Sequence, residues 1–449
     1  MGIIFWILLT FMTGFCSLRL ITSLDVKKTE DRPLDLFLAW GIGTGITAQV
    51  AFFSVLLFDR FSCVDLIALV LIIFSLLWFF SCKYALGNTI RWQGSPYIFL
   101  IFLPVILLLV YKQSLSPYGD WDAWSLWNFR ANAIFRSGAS QWGYIFHNDT
   151  QRSHPWLLPF FVAWGWACAG RETPLVPITV ATAMTMATVG LLVYGLQQYV
   201  KPVVAYVAGF FLLSLPFFFY HSTSQYAEIL VAFYFLAVIL CVLKTLNSSG
   251  PKYMILAGMF LSFLAFSKDE GILLAAIALL VILVKPGLRK HLFQRPFWIT
   301  AGVSVLALII CKILMRSDIL PGSNMLHEEH KTNIMQLFQW TRWEMIFLYI
   351  YENTIWSAGW YSLIILILLA GFRSIFNKST FTEKIIQALL AGYCAAILFL
   401  YIVVSGDIRW RMALTMNRVV FQVAPVIVLL VFLKIFSRDR PDHSSFKGV

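Results

Sequence analysis

Two carboxylates stand among aromatic rings in the stretch GDWDAWSLWNFRA, where Asp120 and Asp122 bracket Trp121. A carboxylate at the mouth of an apolar segment is partly desolvated, which raises its proton affinity toward that of a useful general base. The same residues also fit a helix N-cap beside a solvated interfacial charge, and at this point both readings stand. On an α-helix starting near Trp121, Asp122, Ser125 and Phe129 share one stripe, while Trp124, Trp127 and Asn128 share a second.

Four further segments carry groups of the same kind. HSTSQYAE places His221, Gln225, Tyr226 and Glu228 between two apolar runs, and SKDEG places Lys268, Asp269 and Glu270 between two more. Ionisable residues at membrane depth are costly and tend to mark sites or pathways. Glu228, just inside an apolar run, has few structural excuses, whereas His154 in SHPWLLP also suits an interfacial turn. Near the far end lie Arg409, Arg411 and Arg418. Snorkelling to headgroups suits Arg409 and Arg411. Arg418 is the better phosphate ligand, because a guanidinium fork matches phosphate oxygens. HEEH, with His327, Glu328, Glu329 and His330, lacks the i, i+4 histidine spacing of zinc hydrolases, so metal binding is not expected there.

The elements that must position these groups are membrane helices. The chain has 449 residues, of which 60% are hydrophobic and only 12% charged. Apolar runs recur at 3–21, 35–57, 62–82, 97–112, 174–197, 202–220, 226–246, 252–267, 270–285, 296–315, 343–372, 384–404 and 418–436. In hydrocarbon every backbone polar group must be bonded internally, which makes such runs helices. The first run has no preceding basic residue and no small-residue cleavage site, and it reads as a retained helix. Seven cysteines with no Cys-x-x-Cys pairing argue against a zinc site or a disulfide framework. The net charge of +12 is accounted for by basic cytoplasmic loops beside anionic lipid, without nucleic acid.

Residues 156–170, WLLPFFVAWGWACAG, are short for a span and hold three tryptophans, a residue of the headgroup zone. If this segment dips instead of crossing, the basic loops at 27–32, 83–91, 285–295, 373–384 and 434–447 all face the cytoplasm. The expected fold is therefore an all-α polytopic membrane protein with about thirteen transmembrane helices plus a dipping juxtamembrane helix. Its expected parts are N-terminal helices over 1–112, an external loop over 113–173, a transmembrane core over 174–315, a lid-like loop over 316–342, and C-terminal helices with a cytoplasmic tail over 343–449. Segments 113–173, 221–225, 268–269, 316–342 and 405–417 then share the external face.

Along residues 118–425 the chain resembles the GT-C superfamily of integral-membrane glycosyltransferases, in the bacterial branch related to protein O-mannosyltransferases and lipid A aminoarabinose transferases. The resemblance is carried by GDWDAWSLWNFRA, HPWLLP, QYAEILVAFY, SKDEG and MNRVVFQVAP, in that order. Glu228 stands where Asp is commoner in such proteins, and Asp269 where Asn is expected; the first three helices lie outside the resemblance. It implies a GT-C-like fold in the plasma (inner) membrane and inverting transfer of a sugar from a polyprenyl-phosphate-linked donor at the external, periplasmic face. The acceptor is a hydroxyl of a glycan, lipid or protein. Asp122 is implied as general base, with Asp120 sharing or orienting that role, and Arg418 and Lys268 as donor-phosphate ligands. Glu228, Glu270, Asp269, His154 and Tyr226 are left to position the substrate or a divalent cation, magnesium or manganese. The competing classes are a secondary transporter, and a polymerase or ligase of lipid-linked glycans. The first shows repeat halves and broken helices at the bilayer midplane; the second relies more on external Arg and His than on paired acids.

Overall fold

A computed structural model describes residues 2–23, 32–58, 61–84, 97–136, 154–247, 251–285, 288–289, 295–316, 334–355, 358–376, 379–404 and 406–437. The HEEH segment lies outside the described residues. Every regular element described is helical. Six helices are long and apolar enough to cross a membrane: Gly2–Thr22, Pro33–Phe58, Leu175–Leu196, Glu228–Leu246, Phe381–Val403 and Ile408–Phe436. The count becomes seven if Pro202–Ser214 and Pro216–Thr223 form one span. The chain is thus a multi-pass membrane protein, and thirteen full-length spans are not reached among the described residues; several expected runs are shorter apolar helices, such as Lys252–Ser267.

Three expected runs differ in shape. The run at 202–220 is bent by 71° between Ser214 and Pro216, because proline cannot donate to the helical ladder and clashes with the preceding turn. The run at 343–372 is helical over Trp340–Ile355 and over Ala358–Phe376, so it reaches further than expected at both ends. The last helix begins at Ile408, where the Asp407 carboxylate accepts from the N–H groups of Arg409 and Trp410. Arg418 therefore lies well inside this helix and does not open it.

The chain forms two compact units, residues 1–191 with 219–323 and residues 192–218 with 324–449. In the first, Gly2–Thr22 and Arg32–Phe58 pack backbone against backbone. A Cβ on Gly14 would lie 1.8 Å from the Ala39 carbonyl oxygen, and one on Gly43 would lie 2.0 Å from that of Thr10. Small residues allow this approach where lipid supplies no hydrophobic drive for helices to associate. Buried Thr13, Ser17, Thr47, Thr185 and Thr188 donate to carbonyls four residues back, so no hydroxyl of this set needs a distant partner.

The Leu157–Ala169 helix, expected to dip at an interface, packs against Gly2–Thr22, Arg32–Phe58 and Asn128–Arg136. Its tryptophans, read from sequence as headgroup residues, are core side chains: Trp156, Trp164 and Trp166 are all buried. Aromatic bulk filled the interior here because the helix is enclosed on every side by protein.

Glu228–Asn247 and Lys252–Ser267 form an antiparallel pair. At one end Lys252, fully buried, meets Asp35 at 3.3 Å, and both Lys244 and Lys252 lie 5.1 Å from the Tyr253 ring. At the other end Lys268 meets Glu228. In the second unit, Ile408–Phe436 is the hub against which Pro202–Ser214, Trp340–Ile355, Ala358–Phe376 and Phe381–Val403 pack.

Candidate active site

The site is built on two turns of the first unit. Helix Tyr97–Ser114 ends in a turn closed by Gly119 N–H to the Ser116 carbonyl, 2.9 Å. Gly119 has φ +78°, and a Cβ there would meet the Ser224 carbonyl oxygen at 2.7 Å. Glycine is required both for that conformation and for that approach. It lets the second turn, reached after the bent helix pair, seat directly on the first.

Among the described residues, five hydrogen bonds join the two turns. Asp120 N–H donates to the Ser224 carbonyl at 3.3 Å, and Ser224 Oγ donates to Asp120 Oδ2 at 2.7 Å. Asn128 Nδ2 donates to Gln225 Oε1 at 3.0 Å, and Gln225 Nε2 to the Pro117 carbonyl at 3.2 Å. Asp122 N–H donates to Tyr226 Oη at 3.3 Å. Gln225 itself holds φ +61°, the left-handed region, and no other described non-glycine residue has a positive φ. Strain of this kind persists only where surrounding contacts fix it.

Between the turns and the helix that follows, Ala123–Trp127 is a π-helix. The wider turn breaks the stripes expected for an α-helix: Ala123, Leu126, Trp127 and Asn128 face inward, while Trp124 and Phe129 are exposed. Trp127 stacks on His154 at 5.7 Å and 28°. Arg130, 1% exposed, donates to the His154 carbonyl at 3.1 Å and lies 4.9 Å from the Trp156 ring. His154 is thus held by face and by backbone.

Its Nδ1 lies 3.1 Å from Asp269 Oδ2, and Lys312 Nζ lies 2.6 Å from Asp269 Oδ1. Burial alone would raise the Asp269 pKa, but His154 and Lys312 outweigh it and hold the carboxyl at about 2. One residue back, Lys268 Nζ sits 2.8 Å from Glu228 Oε1 and 3.0 Å from Glu270 Oε1. Lys268 and Glu228 are almost wholly buried, and pairing offsets the cost of burying their charges. Glu270 Oε2 is buried without a hydrogen-bond partner among the described residues.

Eight of the nine site residues expected from sequence therefore lie on one contiguous set of contacts: Asp120, Asp122, Tyr226, Glu228, Lys268, Asp269, Glu270 and His154. Arg418 belongs to the second unit, on Ile408–Phe436. Sequence reasoning missed Lys312, Ser224 and Arg130. Lys312 carried a legible signal, a charge inside an apolar run; Ser224 carried none. As to a cation, Lys268 Nζ stands between the carboxylates of Glu228 and Glu270, and no three His, Cys, Asp or Glu side chains among the described residues are grouped to hold a metal. The described arrangement does not fit a divalent ion there.

Residues 153–314 match the family model described as dolichyl-phosphate-mannose-protein mannosyltransferase, a family of the GT-C superfamily. The match takes in His154, Tyr226, Glu228, Lys268, Asp269, Glu270 and Lys312, and it ends short of Asp120 and Asp122. No curated protein and no solved structure matches the chain. The family match implies glycosyltransferase activity with a lipid-linked sugar donor.

Proposed function

We propose that this protein transfers a sugar from a polyprenyl-phosphate-linked donor to an acceptor hydroxyl, with inversion, at the external face of the plasma (inner) membrane. The observation that carries the reading is the clamp between the Asp120–Asp122 turn and the Ser224–Glu228 turn. It joins the carboxylates lying before residue 153 to the ionic cluster inside the stretch that matches the mannosyltransferase family.

Asp122 accepts the proton of the attacking hydroxyl. The acceptor oxygen bonds to the anomeric carbon as the bond from that carbon to the phosphate oxygen breaks, and the lipid phosphate leaves with the electron pair. Asp120, fixed through Oδ2 by Ser224, orients the neighbouring base. Lys268 supplies positive charge toward the departing phosphate, and Glu228 and Glu270 set its position. Arg418 is assigned to the phosphate by the resemblance. Tyr226, through Asp122 N–H, and the His154–Asp269 pair position the two turns. No step is routed through a metal.

The test is sugar transfer by the purified full chain in nanodiscs, with polyprenyl-phosphate sugars as donors. Asp122→Asn is expected to abolish transfer in protein that elutes and melts like the parent; retained transfer removes the base assignment. One observation favours the transporter reading, the 71° bend between Pro202–Ser214 and Pro216–Thr223. In transporters such breaks sit at the midplane, whereas here the bent pair leads directly into Ser224, at the same end of the helices as Lys268. Flux in proteoliposomes without glycosyl product would favour the transporter.

A further inference from the structure

Trp121 and Trp124 lie 68% and 49% exposed, with ring centroids 4.7 Å apart at 72°. Among the described residues neither ring has another ring contact. The segment carrying them is fastened on both sides. Asp120 is bonded to Ser224, Asn128 to Gln225 and the Tyr118 carbonyl, and Trp127 is buried against His154. The π-helical register turns Trp127 inward and leaves Trp124 beside Trp121. The result is an aromatic corner whose first residue is flanked in sequence by Asp120 and Asp122.

The chemistry of that corner selects among ligands. Residues 116–127 contain no Lys or Arg, and Asp120 and Asp122 repel a phosphate or an anionic headgroup. Two rings at 72° do not enclose a quaternary ammonium as a cage does. A pyranose fits both features: its C–H face lies on an indole, while hydroxyls at its rim donate to carboxylates. Asp120 keeps Oδ1 for this purpose, since its hydrogen bond from Ser224 goes to Oδ2.

We propose that Trp121 and Trp124 form a subsite for a pyranose ring of a glycan acceptor, with Asp120 and Asp122 accepting from its hydroxyls. This rests on the transferase reading and names its acceptor class. A ring stacked on Trp121 would then lie on the segment that carries the proposed base, as positioning for transfer requires. Both indoles are exposed, so their replacement leaves the core intact.

The experiment is saturation-transfer NMR on the full chain in nanodiscs, with methyl mannoside and cellobiose as neutral pyranose probes and choline as the ammonium control. The sugar C–H protons are expected to receive saturation. Trp121→Ala and Trp124→Ala are each expected to weaken binding about fivefold, and Trp121→Phe to restore most of it. The subsite is overturned if neither sugar binds the parent, if both alanine variants bind like it, or if choline is preferred. The outcome separates from the transferase reading. Transfer that needs Asp122 but ignores both tryptophans removes the subsite alone; indole-dependent sugar binding without any transfer removes the transferase alone.

Discussion

Ser224 Oγ and Asp120 Oδ2 meet at 2.7 Å across 104 residues of chain. The bond ties the acidic turn to the turn that opens the Glu228 helix, and on the proposed function it leaves Asp122 as the base and Asp120 as its positioning neighbour. Ser224→Ala should lower kcat about tenfold, one charge-assisted hydrogen bond, with donor KM unchanged. Asp122→Asn should abolish transfer. Steady-state kinetics of the two variants side by side check the division; equal losses would merge the roles.

Lys268 is shared by Glu228 and Glu270, and Glu228 is the more deeply buried partner. Removing Lys268 takes a counter-charge from two acids, whereas removing Glu228 leaves Lys268 its contact with Glu270. Lys268→Met should therefore destabilise the protein by about 3–5 kcal/mol, and Glu228→Gln by less. Thermal unfolding in detergent reads the order, and the reverse order would refute it.

Asp269, normally near 3.8, is held at about 2 by His154 and Lys312 in spite of its burial. A carboxyl whose folded value is depressed contributes stability above its unfolded value and loses it as pH falls through the folded one. The unfolding midpoint should thus drop between about pH 4 and 2, and Asp269→Asn should flatten that drop. Any activity limb between pH 5 and 8 should survive Asp269→Asn, since the carboxylate is already ionised there.

Lys268 fills the space between Glu228 and Glu270 that a divalent ion would need. Treatment with EDTA should leave transfer unchanged. Loss of activity restored by magnesium or manganese would mean that the lysine yields its place to the ion.

Much of this candidate cluster is legible in the sequence, and the reason is chemical. In an apolar chain a carboxylate or lysine at the edge of a helix is conspicuous, so Glu228, Lys268 and the Asp-Trp-Asp run stand out as candidates. Lys312 was passed over because the surrounding run read as one uninterrupted span. Ser224 and the φ +61° of Gln225 depend on a contact between distant segments, which leaves no periodic trace. The π-helical register at Ala123–Trp127 was equally hidden, since the residues themselves suit an ordinary helix. Length misled more than composition did: Pro216 divides a run that hydropathy joins.

The Lys252–Ser267 helix carries a buried lysine just inside one end and another just past the other, each locked to an acid on a neighbouring segment: Lys252 to Asp35, Lys268 to Glu228. A slide of one turn, 5.4 Å, would tear both charges from their counter-ions inside a low-dielectric medium. The two ion pairs act as rivets against sliding. On the proposed function, any opening that admitted a lipid tail would have to turn about this helix and not shift it along its axis.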